Sequence, residues 1–325
     1  MNENAERWEK VRSQVAALRK EIARVIVGQD AIVEQMLVAL ICRGHCLIVG
    51  VPGLAKTLLV RTFGQVLGLK FRRIQFTPDL MPTDILGSEI LQSGDGGARR
   101  FEFVSGPIFA HLIIADEINR TPPKTQAALL EAMQEKQVTV AGQSRMLEEP
   151  FIVYATQNPI EHEGTYPLPE AQLDRFFFCL NIDYPAIPEE KRIVEHTTRQ
   201  ALPTPQAIVS RQEVLDLQEI VLKMPIAEHT VDAAVRLVNS TRPKSELADD
   251  FIRNYVAWGA GPRASQYLVL AAKAFALLAG QTTASVEDIG KAVLPVLRHR
   301  IIPNYNATGE GVTAEKIISH LLEKV

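Results

Sequence analysis

The stretch Leu47–Leu59, "LIVGVPGLAKTLL", decides how the chain is read. An apolar run ends at Val49, and a helical pattern begins near Lys56. The spacing fits G-x-x-x-x-G-K-[ST], the strand–loop–helix that cradles phosphates, in all but one place. Gly50, Lys56 and Thr57 fall in position, but Ala55 stands where the second glycine belongs. In such a loop the backbone N–H groups and the helix N-terminus face phosphate oxygens. Lys56 would reach the β- and γ-phosphates, and Thr57 would offer its hydroxyl to Mg2+. Gly50 and Gly53 permit unusual backbone angles and close approach. Ala55 adds only a methyl group. Read as already entering the helix, it is expected at ordinary helical angles. Taken alone, the stretch could also be a glycine-rich turn without a ligand.

Outward from this loop, four short apolar runs stand between helical patterns: "CLIVG" (46–50), "LIIAD" (112–116), "FIVYAT" (151–156) and "FFFCL" (176–180). The alternation predicts an α/β fold with a mostly parallel sheet covered by helices. Upstream, Trp8, Val11, Val15, Leu18, Ile22 and Val25 recur at helical spacing over Glu6–Val27, and Gly28 closes the pattern. A second periodic segment covers Ala31–Ile41. After Tyr184, "YPAIPEE" and "LPTPQ" are proline-rich breaks, and only helical patterns follow. Ser210 and Glu213 form a capping box, and segments 231–240, 263–279, 286–297 and 313–324 read as helices. Two domains are expected: α/β over 1–187 and all-α over 188–325. Residues 84–104 read as a hairpin with a glycine-rich tip, on the plainest view a surface decoration.

Bulk properties restrict the function. The 325 residues, 46% hydrophobic, suffice for two domains and a large core. A formal net charge of -3 argues against general affinity for nucleic acid or anionic membrane. Cys42, Cys46 and Cys179 form no C-x-x-C, and scattered free thiols fit a reducing cytoplasm. The polar N-terminus carries no apolar signal segment, and no apolar run approaches the ~20 residues that cross a bilayer. The seven histidines show no metal-ligand spacing.

"HLIIADEINR" (111–120) strengthens the phosphate reading, because a buried strand ends there in Asp116-Glu117. With a phosphate loop upstream, the first carboxylate supports Mg2+ and the second polarises the attacking water. The run "FIVYATQN" ends in Asn158, whose amide could place that water. An Asn-Pro turn is the plainer alternative.

Together these residues resemble the AAA+ ATPases, and among them the MoxR group. The resemblance covers nearly the whole chain. It is carried by "VIVGQD" (25–30), "GVPGLAKT" (50–57), "RIQFTPDLMPTDILG" (73–87), the block 103–135, "ATQNPIEHEGTYPLPEAQLDRF" (155–176) and "GPRAS" (261–265). MoxR-like proteins commonly carry alanine before the loop lysine, which favours a working site. The resemblance implies a P-loop core with a helix-2 hairpin insertion and an all-α lid. Lys56 and Thr57 look like Walker A, Asp116 and Glu117 like Walker B, and Asn158 like sensor 1. ATP would be held by Gly50, Pro52, Gly53, Leu54, Ala55, Lys56, Thr57, Leu58 and Asp116, with Val27 and Gly28 at the adenine and Mg2+ on Thr57 and Asp116.

Arg175 in "LDRF" looks like the arginine finger that acts on a neighbour's ATP, and Arg263 looks like sensor 2. The resemblance leaves open on which subunit's nucleotide Arg263 acts. It implies a homo-oligomer, usually a hexameric ring, with the 88–104 insertion toward the pore. "RLVNSTRPK" (236–244) resembles a lid block without assigning Arg242 a role. The basic cluster "LRHRI" (297–301) reads as a solvated helix end.

The leading function is therefore a cytoplasmic, Mg2+-dependent ATPase that remodels or matures client proteins. The family implies a partner with a von Willebrand factor A domain, and tasks that include complex assembly and metal insertion, as in methanol dehydrogenase maturation. A nucleic-acid motor is the first alternative; acidic balance and the lack of an added DNA-binding domain oppose it, and "GGARR" (96–100) alone favours it. A scaffold that binds ATP without hydrolysing it is the second, motivated only by Ala55.

Overall fold

The computed structural model describes residues 3–93, 99–161, 164–199 and 203–323. Most of the glycine-rich tip expected in the hairpin, at 94–98, lies outside the described residues. The first part of the chain contains α1 (Glu3–Ile22), α2 (Asp30–Ile41), β1 (Cys46–Val49), α3 (Lys56–Val66), β2 (Phe71–Gln75), α4 (Pro82–Leu86), β3 (Gly87–Ser93) and β4 (Arg99–Ser105). It continues through β5 (Leu112–Asp116), α5 (Pro123–Glu135), β6 (Gln137–Val140), β7 (Gln143–Met146), β8 (Ile152–Gln157), α6 (Glu170–Leu173) and β9 (Phe178–Asn181). Then follow α7 (Ile187–Arg199), α8 (Arg211–Lys223), α9 (Glu228–Ser240), α10 (Asp250–Tyr255), β10 (Val256–Trp258), α11 (Pro262–Leu278), α12 (Val286–Leu297), β11 (Ile302–Pro303), α13 (Tyr305–Glu310) and α14 (Ala314–Leu322).

Five strands form one parallel sheet in the order β2-β5-β8-β1-β9. The apolar runs are continuous because both faces of the sheet are covered, and successive side chains enter different cores. Leu112, Ile114, Ile152 and Tyr154 join the core shared by α1–α3 and the C-terminal helices. Ile113, Ala115, Val153 and Ala155 join a second core with Phe76, Ile85 and the buried face of α5. Tyr154 places its hydroxyl in the first core by donating to the Met36 carbonyl at 2.9 Å. Because the strands are parallel, their C-terminal ends gather on one edge, and loops after β1, β5 and β8 meet there.

Several elements depart from the sequence expectation. α1 stops at Ile22, ahead of Gly28, because residues 23–25 form a turn. The region after Tyr184 is not purely helical: β10 and β11 pair antiparallel. A second hairpin, β6–β7, follows α5. The cluster 297–301 is not solvated: His299 is half-buried and Arg300 buried against the loop before β9. The β3–β4 hairpin is present, paired from Gly87↔Ser105 to Ser93↔Arg99. The Ser210 capping box forms as expected, with the Ser210 N–H donating to Glu213 at 2.9 Å. Among the described residues, no helix is long and apolar enough to cross a membrane.

Candidate active site

β1 delivers the chain to Gly50, where a Cβ would stand 2.7 Å from the Ile182 carbonyl oxygen. Only glycine allows the loop to pass so close to the segment after β9. Ala55, the N-cap of α3, lies at φ 55°, ψ 24°. This is left-handed backbone, not the helical conformation expected from the sequence. The second glycine of the usual pattern thus serves a backbone angle rather than side-chain space. Ala55 adopts it against a preference of about 1 kcal/mol. No side chain caps the first turn of α3, so its N–H groups are free to face an anion. The Lys56 ammonium donates to the Gly50 carbonyl and, at 3.1 Å, to that of Val51. Burial lowers the pKa of Lys56, opposed by Asp116, Glu117 and Glu161.

At the end of β5, Asp116 accepts from Thr156 Oγ1 at 2.6 Å on Oδ1. Its Oδ2 accepts from Thr57 Oγ1 at 3.1 Å and from Arg73 Nε and Nη2 at 3.0 and 2.7 Å. Burial pushes its pKa up, but these donors outweigh it and hold the carboxyl below the usual range. Asp116 is therefore an anion at neutral pH. Glu117 turns off the strand at φ 58°. Its N–H donates to Thr156 Oγ1 at 2.9 Å, so one threonine fixes both acidic residues. The Glu117 carboxylate accepts from Gln75 Nε2 at 2.9 Å and lies 3.2 Å from Arg120 Nε.

Asn158 follows β8 and is buried. Its Oδ1 accepts from the Ile160 N–H at 3.3 Å, and its buried amide nitrogen makes no close hydrogen bond but stands near enough to Glu161 to help hold that carboxyl low. The amide donor thus faces the carboxylates. Next to it, Arg120 donates to Glu161 at 2.9 and 2.6 Å and holds that carboxyl low.

A cleft of about 450 Å³ opens beside the loop. Val27, Pro52, Gly53, Leu54, Ala55 and Leu58 line one side, and Tyr184 with Ile193 of α7 the other. Its walls suit a planar apolar ring. Gly28 is not part of this lining; it packs against Glu189, whose carboxylate oxygen would stand 2.7 Å from a Cβ. Mg2+ fits the donor set nearby, because Thr57 and Asp116 juxtapose hard oxygens at 3.1 Å. Mg2+ typically takes one or two protein oxygens and completes its shell with phosphate and water.

The two arginines lie at the other edge of the sheet. The N–H of Phe177 donates to the His45 carbonyl at 2.7 Å, which places Arg175 by the N-terminal ends of β1 and β9. β1 is four residues long, so roughly 13 Å of strand separates that edge from the phosphate loop. Arg175 and Arg263 border one cleft of about 190 Å³ together with Arg43, and no carboxylate is among its lining residues. Arg263 pairs with Asp174 at 2.9 Å. The Arg175 guanidinium has no hydrogen bond or ion pair among the described residues.

Comparison with known proteins places the chain in a family. Residues 45–178 match the model of the ATPase family associated with various cellular activities (AAA), and residues 250–321 match an AAA lid domain. The chain is 46% identical over 307 residues to Chaperone MoxR1 of Mycobacterium tuberculosis, covering 94% of this chain and 80% of that one. The chain belongs to the MoxR group of AAA+ ATPases. Protein MoxR of Paracoccus denitrificans is 29% identical over 332 residues, with 96% and 95% of the two chains covered. A crystal structure of a proposed ATPase from Cytophaga hutchinsonii superposes with a TM-score of 0.91 at 40% identity, covering 98% of this chain and 96% of that one.

Within this MoxR-type chain the structure brings Lys56, Thr57, Asp116, Glu117 and Asn158 to one sheet edge and Arg175 and Arg263 to the other. Sequence reasoning missed Arg73, Gln75 and Thr156, which hold the acidic pair. Arg73 and Gln75 alternate along β2, but only pairing of β2 with β5 (Gln75↔Asp116) shows what they face. Arg242, left without a role, donates to the Ala260 carbonyl at 2.9 Å and steadies the turn before α11.

Proposed function

We propose that the chain hydrolyses ATP in sites shared by two copies. One copy supplies the phosphate loop, Asp116, Glu117 and Asn158, and the next supplies Arg175 and Arg263. The observation that carries this reading is the separation of the two sets by the length of the sheet. An arginine side chain is far too short to span roughly 13 Å plus the loop beyond it. In the cleft around Arg175 and Arg263, Arg43 is paired with Glu219 and Arg263 with Asp174, while the Arg175 guanidinium has no carboxylate partner among the described residues, which suits the charged tail of a triphosphate held elsewhere. Both arginines share that cleft, so both act on the neighbour.

In the reaction Lys56 and the N–H groups of α3 bind the β- and γ-phosphates. Glu117 accepts a proton from the attacking water, and Asn158 orients that water through its amide. Thr57 and Asp116 would hold Mg2+, which would supply neutralisation of the developing charge. Arg175 adds a cation as charge accumulates on the leaving oxygens. A head-to-tail contact of this kind closes into a ring, and a hexamer is the proposed assembly. The work done is remodelling or maturation of a client protein, in line with the relative named as a chaperone. A von Willebrand factor A domain protein is the proposed partner.

Turnover measurements on Glu117→Gln and Arg175→Ala test the reading. Glu117→Gln should bind ATP normally and lose hydrolysis. Arg175→Ala should lose on the order of 10³-fold in kcat with ATP affinity little changed. Near-normal rates in both variants would overturn the shared site.

A further inference from the structure

Arg300, in the basic cluster after α12, sits against the loop that carries Arg175. Its side chain is 2% exposed. Its Nε donates to Asp174 Oδ1 at 2.8 Å. Its Nη2 donates to the Asp174 carbonyl at 2.9 Å and to the Phe176 carbonyl at 2.6 Å. Nη1 donates back to the Val296 carbonyl near the end of α12, and the guanidinium lies 5.0 Å from the Tyr267 ring centroid. His299, kept neutral by burial, donates from Nε2 to the same Phe176 carbonyl at 3.2 Å. Arg263 grips the other Asp174 oxygen at 2.9 Å.

The residues on both sides of Arg175 are thus pinned by the C-terminal helices, while the Arg175 guanidinium has no hydrogen bond or ion pair among the described residues. A planar fork with fixed donors can bind a carboxylate and two carbonyls at once; an ammonium cannot match that geometry. A long side chain presented to another molecule needs a fixed base, and residues 174 and 176 provide it.

We propose that Arg300 is a positioning residue for hydrolysis: through Asp174 and Phe176 it fixes the loop that presents Arg175 to the neighbouring copy, and couples that presentation to the lid of its own chain. The inference rests on the shared-site reading above. Its consequence is directional. A change at Arg300 damages the site of the neighbour, not the site that the same chain builds around Lys56. A displacement of α12 carries Arg300 with it, and the finger follows.

Subunit mixing tests this. Arg300→Lys, which keeps the charge but not the fork, is compared with Asp174→Asn, which removes the shared acceptor. Each should lose about 10²-fold in kcat, the scale of a 1 Å misplacement, with ATP affinity unchanged within about threefold. Mixed with Glu117→Gln, each should regain turnover, because Glu117→Gln subunits present an intact Arg175 to intact catalytic sites. Arg175→Ala mixed with Glu117→Gln is the control. Restoration with Arg175→Ala but with neither test variant overturns the positioning role and leaves the shared site standing. No restoration with Arg175→Ala overturns both. Unchanged kcat in both test variants overturns the proposal, as does a loss of ATP affinity parallel to kcat. If Arg300→Lys fails to fold by circular dichroism, the mixing result with the half-exposed Asp174→Asn decides.

Discussion

Ala55 holds a conformation that glycine would adopt more easily, and the phosphate loop depends on it. Its carbonyl begins the ladder of α3 by accepting from Leu59 N–H at 2.9 Å, while its φ of 55° turns the loop toward the phosphate position. Ala55→Gly removes the steric cost of the left-handed region but adds about 0.4–1 kcal/mol of unfolded-chain freedom. The two effects oppose, so stability should stay within about 1 kcal/mol of the parent and turnover should persist. Ala55→Val places a β-branched side chain at the same angle and should be destabilised by about 1–3 kcal/mol, with weaker ATP binding. Urea denaturation and nucleotide titration check both. A valine variant as stable as the parent would contradict the left-handed assignment. The motif spacing made Lys56 and Thr57 legible in the sequence, because spacing along a loop and helix survives folding unchanged. The angle of Ala55 was not legible, since alanine reads as a helix former until the loop geometry is known. Thr156 and Arg73 escaped for another reason: their partner Asp116 is remote in sequence and becomes adjacent only through the sheet.

Elements were readable where an apolar run ended in a candidate site residue, as β5 does at Asp116 and β8 does before Asn158. They were unreadable where the strands are short or the turn is unusual. β6 and β7 join through Ala141 and Gly142, at φ 51° and 78°. Both values are positive, as in a type I′ turn, whose usual signal is Asn-Gly or Asp-Gly. Ala-Gly does not announce it. β10 and β11 have three and two residues, below any periodic signal. The β6–β7 hairpin also stands against the β3–β4 hairpin. Arg145 lies 3.8 Å over the Phe103 ring and 3.8 Å from Glu89. The contact is partly exposed, and a cation–π pair of this kind contributes about 0.5–1 kcal/mol. Arg145→Ala should therefore speed amide exchange in β3–β4 several-fold while the buried strands β5 and β8 keep their protection. Equal exchange in both hairpins before and after the change would show that Arg145 does not tie them together.

At the scale of the whole molecule, histidines partly or fully shielded from water make stability depend on acid. His45 sits immediately before β1, beside β8. Its Nδ1 accepts from the Val153 N–H at 3.0 Å, and its Nε2 donates to the Met133 carbonyl at 3.2 Å. The neutral ring is fully satisfied, and burial depresses its pKa from 6.5 to about 4. His299 and His111 are lowered as well, each chiefly by burial. The unfolded chain binds these protons near pH 6.5, whereas the folded chain refuses them. Stability therefore falls as pH drops through 6.5 and keeps falling until the folded ring itself titrates near 4. For His45 alone the loss between pH 7 and pH 5 should be roughly 2 kcal/mol. Carboxylates held low, such as Asp116 and Glu213, add their loss only at lower pH, because their stabilisation persists until the unfolded groups begin to protonate. The window from 7 to 5 thus isolates the histidines. Unfolding free energies from urea titrations should decline across it. His45→Gln, which cannot gain a proton in either state, should flatten the decline by roughly 2 kcal/mol whatever its stability at pH 7. A parent protein equally stable at pH 7 and pH 5 would mean that the ring beside β1 is open to water.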